Sequence, residues 1–401
     1  MLNTKRLSSL LFLLAITVVF AVADALSDFT GSAPVNSQQT AVLIKDLKTG
    51  KILVAHNIDK QLVPASIMKS VTTATLLEKT GPDFKYVTPV YLTGEINDDV
   101  AEGNLLIVAS GDPTINARNA PSSPDFIKEI VGALISAGIK EIKGAVVIDE
   151  SAFPGPSINP NWNAADLNQE YGTGTHGFNF ENNAANGRAV QDPASAFKNK
   201  LKTALSKEGI SIGTTAVESS GRRQLLFDHT SAPMDEIMRA CMMRSDNQYA
   251  EGMMRLIGQK YGGSGSTAEG TARTKALWKS RKIDVDSITI VDGSGLSRTN
   301  KVTAHFMADM LTNMARNPYY VSFFPLAGLE GTLKHLLPNT RLEGYFAMKT
   351  GSMNGIQCYA GYKVDEDYEP THAVVIIMNG MGDRTKARKE VEKLLLATFP
   401  E

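Results

Sequence analysis

The chain has 401 residues, of which 43% are hydrophobic and 21% are charged, and its formal net charge is −1. This length favours two domains with a sizeable core, and the composition is that of an ordinary globular protein. A near-neutral chain without a basic stripe argues against a nucleic-acid-binding protein.

The N-terminus has the pattern of a secretory signal peptide. Lys5 and Arg6 precede an apolar run, Leu10 to Ala23, that ends in small residues suited to cleavage. The run is short for a transmembrane span, so export with cleavage is favoured over an uncleaved anchor. We therefore expect residues 1–25 to be removed and the mature protein to be periplasmic or otherwise extracytoplasmic.

Only two cysteines occur, Cys241 and Cys358, and each lies in an apolar stretch. Two cysteines do not make a disulfide framework, even in an exported protein. We expect buried free thiols, with a disulfide between the two as the alternative.

After the signal, the pattern is that of a β-hairpin followed by a helix. Thr40 to Lys45 and Ile52 to Ala55 have strand-like sequences, and the segment DLKTGK at 46–51 supplies turn residues between them. The next helix has Ser66 at its start, shows amphipathic spacing, and ends before the Gly-Pro pair at 81–82.

From residue 86 to residue 225 the sequence changes to short β-like runs separated by loops rich in Gly, Asn and Pro. One helical segment is predicted near 123–137. Helical sequence returns at Asp235 to Met243 and Gln248 to Gln259, on either side of a Ser-Asp-Asn triplet.

The C-terminal part has the pattern of antiparallel sheet. Tyr345 to Thr350 alternates in polarity, Asn354-Gly355 is a strong hairpin turn, and Ile356 to Tyr362 is the returning strand. A closing amphipathic helix is predicted from Lys386 to Ala397.

Strands and helices at both chain ends, with a different texture between them, predict an α/β (α+β) fold. The expected catalytic domain is discontinuous, formed by residues 26–85 and 226–401, with an antiparallel sheet flanked by helices. Residues 86–225 are expected to form a β-rich inserted domain.

Ser66 and Lys69 share one face of the predicted helix, about one turn apart. A serine hydroxyl needs a base to become a nucleophile, and a lysine can be that base only when burial or another cation destabilises its ammonium. The helix start also offers backbone N–H groups to an oxyanion. Alone, Ser-x-x-Lys is a weak signal, because exposed helices often carry it by chance.

Ser245-Asp246-Asn247 lies between two predicted helices. The simplest interpretation is an N-cap, for which all three residue types are favoured. The functional interpretation is that Ser245 relays protons while the amide of Asn247 holds a peptide substrate by donating and accepting hydrogen bonds.

Lys349-Thr350-Gly351 lies on a predicted strand that ends in a hairpin. Lys349 can supply a cation for a substrate carboxylate and help to depress the pKa of Lys69, while Gly351 lets another backbone approach closely. A backbone N–H of Ser352 can complete an oxyanion hole. The alternative is a surface lysine followed by a turn.

The Lys-Thr-Gly triplet occurs twice. The first copy, Lys48-Thr49-Gly50, precedes the candidate nucleophile and lies in a predicted hairpin turn. The second copy follows both serine motifs and lies on a strand that returns through Asn354-Gly355. Order and context therefore assign function to the second copy, and Lys48 is expected to be solvated.

In this order the three motifs are the signature of class A β-lactamases and penicillin-binding proteins. The chain resembles, more narrowly, the low-molecular-mass class C penicillin-binding proteins, the D-alanyl-D-alanine carboxypeptidase/endopeptidase family, from about residue 40 to the C-terminus. The resemblance rests on PASIMK at 64–69, LLIVASGDPTI at 105–115, GAVVIDESAF at 144–153, MMRSDNQYAE at 242–251, DGSGLSR at 292–298, PLAGLEGTL at 325–333 and FAMKTGSMNGIQCYAGY at 346–362.

The fold implied by the resemblance is a penicillin-binding, transpeptidase-like domain interrupted by an insertion. The stretch between Ser66 and Ser245 is short for this branch, whose fullest members carry two inserted domains. We therefore expect the second inserted domain to be reduced or absent.

The reaction implied by the resemblance is acyl transfer. Ser66 would attack the carbonyl between two terminal D-alanines, with Lys69 as general base. Ser245 would pass the proton to the leaving D-alanine, and Asn247 would hold the peptide. The N–H groups of Ser66 and Ser352 would form the oxyanion hole, and water would hydrolyse the acyl-enzyme.

Substrate binding would fall to the Lys-Thr-Gly strand, where Lys349 would pair with the terminal carboxylate, assisted by Thr350. The implied partners are peptidoglycan stem peptides, with β-lactam antibiotics as covalent inhibitors of Ser66. No cofactor, metal or nucleic acid is implied, and a loose association with a membrane stays open. Asp112 would recognise an amino group on the third residue of the substrate, or else cap a turn.

Other interpretations have less support in the sequence. A serine β-lactamase would need a deacylating Glu-x-x-x-Asn loop, which is not evident, and a penicillin-binding sensor or wall-binding module without turnover is the remaining alternative. DGSGLSR imitates a hydrolase nucleophile elbow, but Asp292 occupies the place of the first glycine, so a tight structural loop is expected. The six histidines show no metal-binding spacing.

Overall fold

The computed structural model describes residues 22–122, 124–218 and 221–400. The predicted signal peptide therefore lies outside the described residues, apart from its last part at 22–25. That part belongs to a helix over 22–31, α1, whose Val22, Ala25 and Leu26 pack against an apolar cluster. Within the described ranges, no helix is long and apolar enough to cross a membrane.

The remaining helices are α2 (Met68–Thr80), α3 (Phe126–Ser136), α4 (Pro193–Lys207), α5 (Met234–Arg244), α6 (Asn247–Gly262), α7 (Thr267–Ser280), α8 (Ala304–Met314), α9 (Pro318–Ser322) and α10 (Arg384–Thr398). The strands are β1 (Thr40–Asp46), β2 (Ile52–His56), β3 (Val87–Thr93), β4 (Ile96–Asn97), β5 (Val100–Ala101), β6 (Leu105–Val108), β7 (Glu141–Ile142), β8 (Val146–Asp149), β9 (Ala184–Ala185), β10 (Arg188–Ala189), β11 (Ser211–Ile212), β12 (Arg223–Thr230), β13 (Phe346–Met353), β14 (Ile356–Val364) and β15 (Pro370–Asn379).

A five-stranded antiparallel sheet joins the two ends of the chain in the order β13-β14-β15-β1-β2. The apolar run in β1 is continuous because both of its faces are buried. Ala41 and Leu43 belong to the apolar cluster shared with α2 and α8, whereas Val42 and Ile44 belong to the cluster shared with α10. Successive side chains of a strand point to opposite faces, so this sheet has helices on both sides. The predicted hairpins around residues 46–51 and 354–355 are confirmed.

The helix after the candidate nucleophile differs from the amphipathic helix that the spacing predicts. Every residue from Met68 to Leu77 is buried, so α2 is enclosed on all sides. Its threonines are accommodated because their hydroxyls donate to carbonyls, for example Thr75 Oγ1 to Val71 O at 2.7 Å and Thr72 Oγ1 to Gly293 O at 2.7 Å.

The middle of the chain forms two four-stranded sheets, β12-β3-β6-β8 and β11-β7-β5-β4, around their own apolar cluster. Phe126, Phe178 and Phe197 pack together at its centre. The prediction of a single helix here is wrong: α4 is a second one, begun by the Asp192 cap with Pro193 at its first position. The expected boundary at residues 225 and 226 falls inside β12, which stays paired with β3 to Thr230.

Candidate active site

Ser66 lies in a 3-10 turn, Ala65–Ile67, that leads directly into α2. Ala65 has a φ of +47°, a left-handed conformation that costs a non-glycine residue about 1 kcal/mol. The loop over 292–297 presses against this turn, since a Cβ on Gly295 would lie 1.8 Å from the carbonyl oxygen of Ala65. The turn that presents Ser66 is therefore fixed by the packing around it.

Lys69 is fully buried one turn after Ser66, and its Nζ donates to three oxygens. These are Ser66 Oγ at 3.0 Å, Asn247 Oδ1 at 2.6 Å and Ser294 O at 2.7 Å. Burial lowers the pKa of Lys69, because the charged ammonium loses its hydration. A lysine held near a serine hydroxyl with a lowered pKa is suited to accept the proton of that hydroxyl.

Lys349 is also fully buried, and its Nζ donates to Thr350 O at 2.8 Å. Burial, and then the charge of Lys69, hold the pKa of Lys349 well below its ordinary value. Lys349 does not line either of the two cavities at Ser66, whereas Ser352 lines both. In this structure the second lysine therefore lies behind the wall that a substrate would touch.

The Lys-Thr-Gly strand approaches the turn that carries Ser66 very closely. A Cβ on Gly351 would lie 2.6 Å from Pro64 O and 3.1 Å from Ser66 N, so a glycine is required for this contact. β13 is the edge strand of its sheet, and the N–H of Met348 points outward to Pro325 O at 3.1 Å. Because N–H directions alternate along a strand, the N–H of Ser352 points outward as well.

The Ser245-Asp246-Asn247 triplet divides its roles between its residues. Asp246 is the cap of α6, since its Oδ1 accepts from Tyr249 N at 3.0 Å. Ser245 ends α5 in a left-handed conformation, with a φ of +62°, and lines both cavities. Asn247 accepts from Lys69 and donates through Nδ2 to Tyr171 O at 2.7 Å. The N-cap interpretation and a position at the site are thus compatible.

The loop containing DGSGLSR has a part in the site that the sequence analysis missed. Its Ser294 carbonyl accepts from Lys69, and the loop is held by Glu251, whose Oε1 accepts from Gly293 N at 3.0 Å and Ser294 N at 2.8 Å. Asp292 holds the other side, accepting from Gly295 N at 2.8 Å among other donors. The sequence feature that could have indicated this support is Glu251, an acidic residue one helical turn after Asn247.

Two fully buried carboxylates therefore lie close to Lys69. Burial, and then Asp292, raise the pKa of Glu251 to about 7, and burial also raises the pKa of Asp292. Both carboxylates act on Lys69 in the direction that raises its pKa, against the larger effect of burial. Two opposing effects thus set the pKa of Lys69: burial lowers it, and the neighbouring carboxylates raise it.

The structure does not bring Asp112 together with the other candidate residues. Its carboxylate is 1% exposed, and Oδ1 accepts from Thr114 N at 2.7 Å and from Thr114 Oγ1 at 2.6 Å. Asp112 lines neither cavity at Ser66. Its contacts are those of a turn-capping aspartate, the alternative considered from the sequence.

Two cavities meet at Ser66 and share Ser245 and Ser352. The Asn247 cavity, of about 500 Å³, also contains Asp166, Tyr171 and Arg298 in its wall. The Thr350 cavity, of about 280 Å³, extends in another direction. In the described part of the chain, no group of three or more His, Cys, Asp or Glu residues could hold a metal ion, and both cysteines are buried free thiols.

A serine beside a buried lysine, set at a helix start against the edge of an antiparallel sheet, is the arrangement of the serine acyl-transfer enzymes that recognise penicillin. The sequence profile of the D-Ala-D-Ala carboxypeptidase 3 (S13) family matches residues 22–186 and 180–398. The chain belongs to this family. It is a serine-type D-Ala-D-Ala carboxypeptidase, a hydrolase of the carboxypeptidase/endopeptidase group.

Curated relatives and solved structures agree with this membership. A D-alanyl-D-alanine carboxypeptidase from Actinomadura sp. is 25% identical over 427 aligned positions, which cover 84% of this chain and 77% of that protein. Carboxypeptidase DacB from Mycolicibacterium smegmatis is 28% identical over 346 residues, spanning 80% and 72%. Penicillin-binding protein 4 (dacB) from Haemophilus influenzae shares the fold with a TM-score of 0.80 at 23% identity, covering 92% of this chain and 98% of that one.

Proposed function

We propose that Ser66 is the nucleophile of this carboxypeptidase and that Lys69 is its general base. The observation that carries the assignment is the 3.0 Å contact between Lys69 Nζ and Ser66 Oγ, made by a lysine that is fully buried. Because burial lowers the pKa of Lys69, a neutral amine that can take the hydroxyl proton is accessible.

The roles of the other site residues follow from their positions around Ser66 and Lys69. Ser66 Oγ attacks the carbonyl carbon of the penultimate residue, and the N–H groups of Ser66 and Ser352 stabilise the oxyanion. Ser245, in the wall of both cavities, passes the proton to the leaving nitrogen as the C–N bond breaks. Asn247 orients Lys69 and holds the acyl part of the peptide. A water molecule then hydrolyses the ester on Ser66.

The Lys-Thr-Gly strand binds the carboxylate end of the substrate in this proposal. Thr350 and Ser352 line the cavity wall, and the buried amine of Lys349, which donates to Thr350 O, lies directly behind them. Gly351 is the residue that allows the strand to approach Ser66. We assign no substrate contact to Asp112, whose carboxylate is enclosed and capped by Thr114.

The substrates of the proposed enzyme are peptidoglycan stem peptides, and β-lactams form a stable ester with Ser66. A solved structure of the Haemophilus influenzae relative is a complex with a β-lactam. A predatory peptidoglycan endopeptidase from Bdellovibrio bacteriovorus shares the fold with a TM-score of 0.56. Action on the wall implies a periplasmic or other extracytoplasmic location after signal cleavage, with or without loose membrane association.

Labelling with a fluorescent penicillin, followed by assay with a diacyl-D-Ala-D-Ala peptide, tests the proposal. Stable labelling with release of D-alanine is expected, and both should be lost in Ser66→Ala. Labelling without turnover would mean a sensor or wall-binding module instead, and rapid loss of label would mean a β-lactamase. Labelling that persists in Ser66→Ala would refute the assignment of the nucleophile.

A further inference from the structure

A third cavity lies beside the Ser-Asp-Asn triplet, and the proposed mechanism gives it no role. This Arg244 cavity, of about 220 Å³, shares Tyr171, Ser245 and Asn247 with the Asn247 cavity, whereas it shares only Ser245 with the Thr350 cavity. Because Asn247 holds the acyl part of the substrate in the proposed mechanism, the Arg244 cavity lies on the acyl side of the scissile bond. Its volume corresponds to about seven water molecules, which is room for a single amino-acid residue.

Two guanidinium groups lie in the wall of the Arg244 cavity, those of Arg118 and Arg244. Arg244 donates through Nη1 to the carbonyl oxygen of Asn119, which ties the end of α5 to the inserted region. The backbone N–H of Arg118 donates to Asn182 Oδ1 at 2.9 Å, so the loop that carries this arginine is held as well. Among the described residues, the arginines that form ion pairs are others, namely Arg222, Arg239, Arg273 and Arg281.

The remaining polar groups of this wall only partly offset the two positive charges. Asp246 is the cap of α6, where its Oδ1 accepts from Tyr249 N at 3.0 Å, and burial raises its pKa. Glu170 is exposed and is the other carboxyl group that lines the cavity. Gln248 is 4% exposed, and its Oε1 has no hydrogen-bond partner among the described residues. The wall thus contains donors for a carboxylate and an acceptor for an N–H group.

The path of the substrate connects this wall to the nucleophile. The Asn247 cavity contains Ser66 and borders the Arg244 cavity through three shared residues. An acyl chain that extends away from Ser66 therefore passes through the Asn247 cavity before it reaches the Arg244 cavity. The residue next to the acyl D-alanine fills the first, and the residue after that enters the second.

We propose that the Arg244 cavity binds a free carboxylate of the substrate, located two residues before the D-alanine that acylates Ser66. The inference rests on the proposed function and adds a determinant of specificity to it. Arginine binds a carboxylate through two parallel N–H donors, and Gln248 Oε1 is an acceptor for a neighbouring peptide N–H. A stem peptide presents such a carboxylate when its second residue is a glutamate joined through the side-chain carboxyl. Amidation of the α-carboxylate removes the charge and leaves the size of the residue nearly unchanged.

The test uses two stem pentapeptides that differ in this one group. Both end in D-Ala-D-Ala and have diaminopimelate as the third residue, and the α-carboxyl of the second residue is free in one and amidated in the other. The quantity is the ratio of their kcat/KM values, free over amidated, measured by release of D-alanine from the purified protein. Wild type should give a ratio of about ten or more, because amidation removes hydrogen bonds to a charged group.

The double variant Arg118→Gln and Arg244→Gln should lower this ratio about tenfold, to a value close to one. Any loosening of the loop that Arg244 holds would affect both peptides and cancel in the ratio. Arg222→Gln is the matched control, since Arg222 is an exposed arginine of the inserted region outside the cavity, and it should keep the wild-type ratio.

Ionic strength provides a second measurement that does not depend on mutation. As salt rises, kcat/KM for the free-carboxylate peptide should fall more than that for the amidated peptide, and this difference should disappear in the double variant. A wild-type ratio within about twofold of one, or a double variant whose ratio falls by less than about twofold, overturns the inference. Wild-type protein that neither binds penicillin nor releases D-alanine from either peptide would instead overturn the proposed function.

Discussion

Single residues decide what the two Lys-Thr-Gly copies do. Lys48 is exposed in a turn that is closed by Asp46, whose Oδ1 accepts from Thr49 N at 2.7 Å. Lys349 is followed by the same Thr-Gly pair, but it is fully buried beside Lys69. The same triplet is therefore a solvated turn in one place, and in the other it places a second buried lysine beside Lys69.

Replacing the two lysines should have very different effects. Lys349→Ala removes a buried amine that donates to Thr350 O beside the reacting groups, and it should lower kcat/KM by about 10²- to 10³-fold, the cost of losing one electrostatic stabiliser. Lys48→Ala should leave it unchanged. Steady-state kinetics on a diacyl-D-Ala-D-Ala peptide measure both, with penicillin labelling as a check on the folded site. Equal effects of the two changes would contradict the assignment of the second copy.

Glu251 should set the pH dependence of the reaction through Lys69. Its charge raises the pKa of Lys69, so Glu251→Gln, which keeps an oxygen acceptor for the loop, should lower that pKa further. The acid limb of the kcat/KM profile should then move to lower pH. Glu251→Ala, which removes the acceptor, should instead reduce activity at every pH. An acid limb that stays in place or moves up in Glu251→Gln would argue against the coupling.

The carboxyl group of Glu251 should also make the stability of the folded protein depend on pH. The pKa of Glu251 in the folded protein is about 7, above the value of about 4.3 for an unfolded glutamate. A raised folded pKa stabilises the protein below the unfolded pKa, and this contribution is lost as pH rises through about 7. Glu251→Gln should therefore gain stability relative to wild type between pH 4 and pH 8, as thermal melting at several pH values would show. A difference in melting temperature between the two proteins that stays constant with pH would contradict the raised pKa of Glu251.

At the scale of elements, the contact between β13 and the Ser66 turn depends on a missing side chain. A Cβ at Gly351 meets backbone atoms, which cannot move aside as a flexible side chain would. Gly351→Ala should therefore separate the strand from the turn and abolish penicillin labelling, while far-UV circular dichroism stays native. Gly132→Ala, in an open position of α3, is the matched control and should stabilise the protein by about 0.5–1 kcal/mol. A Gly351→Ala variant that labels normally would be inconsistent with this packing.

Elements with strong local signals were predictable from the sequence, and others were not. The hairpin at 354–355, the paired helices around Ser245 and the final helix all follow from turn residues and periodic apolar positions. α4 was missed although Asp192 and Pro193 form a helix start, because the Asn- and Gly-rich sequence before it suggested loops. The full burial of α2 could not be predicted, since threonine hydroxyls become compatible with a core only through tertiary partners.

At the scale of the whole molecule, α6 connects the site to the middle of the chain. Three residues spaced four apart on this helix make the connection. Asn247 contacts Lys69, Glu251 contacts the loop at 293–294, and Arg255 contacts the segment over 154–175. Arg255 is 2% exposed, and its guanidinium donates to Pro154 O, Thr175 O and Gly265 O among other acceptors. Burial lowers the pKa of Arg255 to about 10, which still leaves the side chain charged at neutral pH.

Arg255→Met should loosen this connection without touching the reacting groups. The carbonyls that Arg255 satisfies would be left without a donor, at a cost of about 3 kcal/mol in the free energy of unfolding. Limited proteolysis under native conditions should then cut within 154–175 faster than in wild type. Arg273→Met, on the exposed surface of α7, is the control and should change neither quantity measurably. Equal protection of the 154–175 segment in both variants would contradict the role of Arg255.

The candidate site was largely predictable because its motifs are short and local in sequence. The residues that hold these motifs in place come from distant parts of the chain and were not predictable. Spacing and order along the sequence identify Ser66, Lys69, the Ser-Asp-Asn triplet and the second Lys-Thr-Gly triplet. Glu251 and the Ser294 N–H group from which it accepts are 43 residues apart in sequence and meet only in the folded chain. For Asp112 the motif left substrate recognition and a turn cap as alternatives, and the choice between them depends on its closed environment, which the sequence does not show.

The spacing along α6 constrains how this chain can change in length. A helix turns by about 100° per residue, so one inserted or deleted residue between Asn247 and Arg255 would rotate one set of contacts away from the other. The segment over 154–175 shares this requirement because it contacts Asn247 and Arg255, whereas exposed loops of the 86–225 region that do not contact α6 can lengthen or shorten at little cost. Among related chains of different sizes, variation in length should therefore collect in these exposed loops, and the eight-residue interval from 247 to 255 should be kept.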